Sequence, residues 1–219
     1  VALTALDEFL DAARFVLKTP TLVWIFLGGA LISFAMNGLV GWSPTFLQRT
    51  LGLTPQMAGR TIGLWGMAAA VLGVLMGGRL ADFLVERWKT GRVIAGAAGF
   101  LLGAPLCVWL LSVRDLELFI PLFFTTLFFF AWYNGPLSAT IFDVVPSRIG
   151  ASVMGTYVFF THIAGDALAY PLIGAMSDRF GIRAAVLVLP AVAMLGGLII
   201  LGATRTVARD MERLRAAAR

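Results

Sequence analysis

Residues 77–92 read GGRLADFLVERWKTGR. This stretch crowds Arg79, Asp82, Arg87, Lys89 and Arg92 into a short connection between two long apolar runs, at roughly 57–84 and 92–113. An apolar run of about 20 residues, wound as a helix, crosses the hydrocarbon of a bilayer. Two such runs joined by a tight charged link predict a transmembrane hairpin. Working outward, further runs lie at roughly 21–47, 118–143, 150–176 and 183–204. The chain is 59% hydrophobic and 13% charged, where soluble domains carry about 25% charged residues. The fold class is therefore an all-α membrane protein, a six-transmembrane-helix bundle.

The net charge of +5 reports topology rather than nucleic acid. With the N-terminus in the cytoplasm, twelve of the 17 Lys and Arg fall on that side. The other five, Arg49, Arg60, Arg114, Arg179 and Arg183, fall outside. Both ends are thus expected in the cytoplasm. Residues 1–20 are expected to form an amphipathic linker helix, with Leu3, Leu6, Leu10, Ala13 and Leu17 at helical spacing. Residues 21–204 form the bundle, and 205–219, including Arg205 to Arg219, a basic cytoplasmic tail. Starting at Val1 with a linker, the chain reads as one half of a longer protein.

The six runs differ in kind. The third and sixth are almost wholly apolar. The first, fourth and fifth carry polar groups at depth, which must face protein or a cavity. In the first, Ser33 and Asn37 share a face, and Trp42 precedes a bend at Pro44. Trp42 has two readings, interfacial anchor or cavity wall. In the fourth, Pro136 should kink or soften the helix, with Tyr133, Asn134 and Ser138 around it. In the fifth, His162 and Asp166 lie four apart, and Phe159 and Tyr170 extend the same stripe. An acid at the centre of a membrane helix costs about 2.5–3.5 kcal/mol, so this pair is the proton-coupling candidate. In the second, Gly59, Gly63, Gly66, Ala70, Gly73 and Gly77 form a small-residue stripe. That stripe is expected to meet another backbone, a helix of the other half of the protein.

Gly78, Asp82, Arg87, Arg92, Asp143 and Arg148 gather at the cytoplasmic ends and are the candidate gate. Asp82 is expected among Arg79, Arg87 and Arg92, or capping a helix of the other half. Ser177, Arg179 and Arg183 read as solvated turn residues. No Cys or His cluster suits a metal, and the lone Cys107 makes no internal disulfide. No phosphate loop and no nucleophile with a base is present, so neither an enzyme nor a cofactor is expected.

The segment 143–178, DVVPSRIGASVMGTYVFFTHIAGDALAYPLIGAMSD, resembles the spinster family of the major facilitator superfamily. Its strongest parts are Asp143 to Pro146, His162 to Ala167, and Pro171 to Gly174 with Ser177-Asp178. Trp42 to Leu47 and Asn134-Gly135-Pro136 also fit, and Gly78 to Asp82 matches the superfamily's Gly-x-x-x-Asp pattern. Where the family has a small residue before the proline, this chain has Tyr170. The resemblance implies one half of a twelve-helix fold, the C-terminal bundle. Its first and fourth spans would line a central cavity, and its second and fifth would meet the N-terminal six-helix half. It further implies a secondary active transporter, and the Gly- and Ala-rich composition points to a bacterial inner membrane. The substrate would be an amphipathic, lysolipid- or sphingolipid-type molecule moved by alternating access, with membrane lipids as the other partners. The alternatives are an exporter of drugs or organic anions and, in a different class, a channel or structural membrane subunit.

Overall fold

The computed structural model describes residues 5–217. Leu3 of the expected linker helix and Arg219 of the expected tail lie outside the described residues. The first helix, α1 (Ala5–Lys18), carries Asp7 and Glu8 in its first turn and Lys18 in its last, the arrangement its dipole favours.

Six helical spans follow, each long and apolar enough to cross a membrane: Pro20–Leu51, Pro55–Val85, Gly91–Ser112, Leu116–Val144, Ser147–Phe180 and Ile182–Arg205. They are the six runs of the sequence. Their ends are chemically marked. The first span, α2 (Pro20–Leu51), starts with a proline and stops at Gly52, whose φ of 68° permits the left-handed turn. Thr54 accepts from the Met57 amide to open α3 (Pro55–Val85), the second span. The third span is α4 (Gly91–Ser112). Asp115 accepts from the Leu118 amide at 2.8 Å to open α5 (Leu116–Phe130).

The fourth span is broken. After α5 comes a single 3-10 turn, Ala131–Tyr133, and then α6 (Asn134–Val144). Pro136 explains the break, because it has no N–H to give the helix ladder and its ring crowds the preceding turn. The fifth span is broken differently. Helix α7 (Gly150–Thr161) passes into one turn of π-helix, His162–Asp166, before α8 (Ala167–Phe180). The sixth span joins α9 (Ile182–Val186) to α10 (Val188–Gly202).

Helix α10 packs against α2 and α4, and α3 against α4 and α5. Large aromatics fill the seams: Phe100 stacks on Phe130 at 4.6 Å, and Phe119 on Phe123 at 5.6 Å. The second and fifth spans are only 22% buried over their apolar windows, against 56% for the first and third. Their apolar faces are the open sides of the bundle.

Three expectations need correction. The glycine stripe of α3 does meet a backbone, but within this chain: Gly73 and Gly77 lie against Phe128 and Trp132 of the fourth span. Gly59 and Gly63 face open space. Ser177 is buried and accepts from Arg49 at 3.0 Å, tying the fifth span to the first. Arg183 donates to the Val113 carbonyl at 3.3 Å. Neither is a free turn residue, because each lies where two span ends converge; Arg179 is exposed.

Beyond the bundle, α11 (Val207–Ala217) docks back on the start of the first span. Asp210 is 5% exposed and accepts from the Thr21 amide at 3.0 Å and the Thr21 hydroxyl at 2.7 Å. Thr19, at the cap position of α2, offers no side-chain cap of its own. Asp210 caps the helix from the far end of the chain, and a carboxylate suits the positive end of the helix dipole. On the same side Lys89 donates to Glu212 at 2.8 Å, and that bond holds the Glu212 carboxyl below its usual range.

Candidate functional site

Asp166 is the hub of the polar interior. One carboxylate oxygen accepts from the Ser33 hydroxyl and, at 2.8 Å, from the Asn37 side-chain amide. The other meets Nδ1 of His162. Ser33 and Asn37 are one turn apart on α2, so a single face of the first span supplies both donors. The fifth span supplies the acid and its imidazole across the π turn. Gly165 lets the spans approach: a Cβ there would fall 2.6 Å from the Ala30 carbonyl oxygen and 2.7 Å from Ser33 Cβ. A π turn carries one more residue than an α turn and often marks a functional site. Its local cost is offset here by three bonds to a partly buried carboxylate, which are stronger than neutral ones.

The pair is graded in exposure. The His162 side chain is 63% exposed and that of Asp166 17%. His162 therefore lies between the open space and the acid. That space is a cavity of about 300 Å³ between the first, fourth and fifth spans. Ser33, Asn37, Tyr133, Asn134, Ser138 and His162 line it, and Asp166 stands just behind its wall.

The other sequence candidates lie elsewhere. Trp42 packs its ring against Gly174, and its indole N–H is buried without a partner among the described residues. Tyr170 fills the space beside Gly41. Phe159 turns outward to α1, edge-on to Phe9 at 5.7 Å. The reason is rotational. Tyr157, Val158 and Thr161 line the cavity, so the inward face of α7 is centred on Tyr157 and Thr161, and Phe159 falls behind it. Beyond Asp166 the extra residue of the π turn swings Tyr170 off the stripe. Tyr157, Thr161, Met36 and Met154 are cavity residues the sequence candidates lacked. Tyr157 and Thr161 stand five positions before His162 and Asp166.

The gate candidates do not form one cluster. Arg92 pairs with Asp143, both side chains about a quarter exposed at 26% and 27%. This fastens the start of the third span to the end of the fourth. Since Arg92 is taken, Asp82 does not have it; Asp82 is exposed and has no side-chain partner among the described residues. Arg87 stacks over Phe83, 4.0 Å from the ring centre. Gly78 faces open space. Arg148 lines a separate cleft with Arg14 and Lys18. Among the described residues, no group of three or more His, Cys, Asp or Glu could hold a metal.

The sequence pattern of the Major Facilitator Superfamily matches residues 3–165. The chain belongs to this superfamily. Among superfamily relatives, an "MFS-type efflux pump" of Mycolicibacterium smegmatis is 31% identical over 74% of this chain and 38% of its own length. "Protein spinster homolog 3" of Danio rerio is 26% identical over 94% of this chain and 46% of its own length. The fold matches the crystal structure of a bacterial homolog of the human lysosomal transporter Spinster, in its inward-facing, unoccupied conformation. The TM-score is 0.79 at 18% identity, over 96% of this chain and 53% of that one. The chain therefore spans about half the length of the superfamily members it matches, and its six spans form half of their fold.

Proposed function

We propose that this chain is the C-terminal bundle, helices seven to twelve, of a secondary transporter. It would move an amphipathic, lipid-like solute by alternating access, with His162 and Asp166 as its proton-coupling pair. The observation that carries this reading is the Asp166 carboxylate, held by Ser33, Asn37 and His162 at the wall of a membrane-depth cavity. With His162 neutral the pair has one negative charge; a proton on the imidazole cancels it. A closed, dry cavity tolerates the neutral pair better than the charged one. Protonation would thus favour closure over the site, and rehydration would favour release. Because Ser33 and Asn37 belong to the first span, a change at Asp166 is felt by two spans at once.

The cavity lining suits an amphiphile. Hydroxyls, two amides and an imidazole share the lining with Met36, Leu137, Met154 and Val158. It contains no Arg or Lys. An anionic headgroup would take its cation from the N-terminal six-helix half, which we place against the open faces of the second and fifth spans. Both termini would lie in the cytoplasm of a bacterial cell. Similarity to spinster proteins, in sequence to one and in fold to another, supports this reading. A second reading, an exporter of drugs or organic anions, is favoured by the relative named an efflux pump. Flux of a lysolipid against that of a hydrophilic anion in proteoliposomes separates the two.

The test of the pair is transport by Asp166→Asn and His162→Ala in the intact protein. Each is expected to lower flux by at least about tenfold, within the range of effects of general acid–base groups. The residual flux should lose its pH dependence. Wild-type flux and pH profile in both variants would reduce the pair to a structural bridge.

A further inference from the structure

The face of the membrane opposite the chain termini holds a second constellation, unrelated to the cavity. The sequence assigns five of the 17 Lys and Arg to this face, and two of them, Arg114 and Arg183, line one cleft of about 460 Å³. Thr50, in the last turn of the first span, completes its lining. We infer that Arg183, Arg114 and Thr50 form an anion-binding site for a phosphate group at this surface.

The reason lies in how Arg183 is held. Its guanidinium donates to the carbonyls of Ser112 at 3.5 Å and Val113 at 3.3 Å, and lies 5.7 Å from the centre of the Phe46 ring. Those carbonyls belong to the end of α4, the negative pole of that helix. Held this way the group is fixed in place, and two of its five N–H donors are used. Three remain. Neither Arg183 nor Arg114 has a carboxylate partner among the described residues. The nearest acid in sequence, Asp115, is committed to the Leu118 amide, and Arg49 is directed at Ser177. Two guanidinium charges thus share a cleft without a counter-ion. A planar fork of this type fits the oxygens of a phosphate two at a time.

Thr50 adds a discriminating contact. Its hydroxyl proton is given to the Phe46 carbonyl at 2.6 Å, which leaves its oxygen as an acceptor. It therefore serves as an acceptor, for an alcohol beside the phosphate or for a phosphate O–H. A phosphate next to an alcohol, as in a glycerol-phosphate headgroup, satisfies all three side chains. The ligand is either the headgroup of an anionic lipid in the adjacent leaflet or a soluble phosphate.

The intact protein in neutral detergent tests this with two probes. Native mass spectrometry after equilibration with an equimolar mixture of phosphatidylglycerol and phosphatidylcholine reads lipid retention. The shift in unfolding temperature with inorganic phosphate, against chloride at equal ionic strength, reads the soluble anion. Phosphatidylglycerol should be enriched on the wild type. The enrichment should fall at least about tenfold in the Arg114→Gln, Arg183→Gln double variant, each lost contact being charge-assisted. Enrichment without phosphate stabilisation assigns the site to a lipid headgroup; stabilisation that the double variant loses assigns it to a soluble phosphate. If Arg183→Gln does not fold, Arg114→Gln alone, which breaks no protein contact, should still reduce retention or the phosphate shift severalfold. Equal retention and equal phosphate response in the wild type and the folded variant overturn the inference.

Discussion

Replacing Gly165 by Ala should damage the site without touching any of its polar atoms. The added methyl would stand 2.6 Å from the Ala30 carbonyl oxygen and 2.7 Å from Ser33 Cβ. Bringing the first of these to the 3.4 Å of ordinary contact moves the fifth span 0.8 Å from the first. The same displacement takes the Asn37–Asp166 bond from 2.8 Å towards 3.6 Å, where an N–H···O bond no longer counts. Overpacking a close helix contact costs about 1–3 kcal/mol, and each lost bond to the carboxylate about 1.5–3 kcal/mol. A total near 3–5 kcal/mol is expected, in the exceptional tail for single substitutions. The matched control is Gly155→Ala on the same span, where the methyl meets nothing within 4 Å; its effect should stay within about 0.5 kcal/mol. Thermal unfolding in detergent reads the stability, and solute flux per folded molecule in proteoliposomes reads the site. Flux should fall more than about tenfold in Gly165→Ala, since misplacing a functional group by about 1 Å costs up to a hundredfold. Wild-type flux and stability in Gly165→Ala, or equal losses in both variants, would refute the geometry.

Three further outcomes are expected. Gly77→Ala puts a methyl 2.6 Å from the Trp132 carbonyl oxygen while Gly78→Ala meets nothing within 4 Å. The first should destabilise by about 1–3 kcal/mol and its neighbour should be neutral or slightly stabilising, a contrast that thermal unfolding reads and that equal shifts would contradict. Asp210→Asn removes the charge from the start of the first span and should cost about 1–2 kcal/mol; unchanged unfolding temperature and unchanged amide exchange at Thr21 would show the cap to be idle. The Arg92–Asp143 pair, at 26% and 27% exposure, should couple by more than the 0–1 kcal/mol usual for surface pairs. A double-mutant cycle with Arg92→Gln and Asp143→Asn measures it, and a coupling near zero would remove the pair from the closure of the third and fourth spans.

The spans were legible because bilayer thickness imposes a length and a polarity that local sequence must meet. A disturbance at Pro136 was legible too, from a missing N–H, though not that it would take the form of a 3-10 turn. The pairing of His162 with Asp166 could be read from spacing, but the π turn could not. Its extra residue is stabilised by Ser33 and Asn37, more than a hundred positions away, and by the fit of Gly165 under Ala30. That hidden rotation is why Phe159 and Tyr170 looked like companions of the pair while Tyr157 and Thr161 were overlooked. The glycine stripe announced a close approach but not its partner, since small residues say that a backbone is near without saying which. Asp210 carried no local signal at all: among Arg209, Arg213 and Arg215 it reads as one acid in a basic tail. Only tertiary structure shows that it is buried and bonded to Thr21.

That bond joins residues 189 positions apart. A chain leaves the ribosome N-terminus first, so the first span of this bundle enters the membrane with its leading end uncapped. It stays so until every later span has been threaded and α11 has been released. Residues of α11 therefore complete the first span of the bundle, and that span locks only after α11 has been made. A nascent chain stalled anywhere before Asp210 would carry an open first turn, a mark by which quality control could tell an unfinished bundle from a finished one.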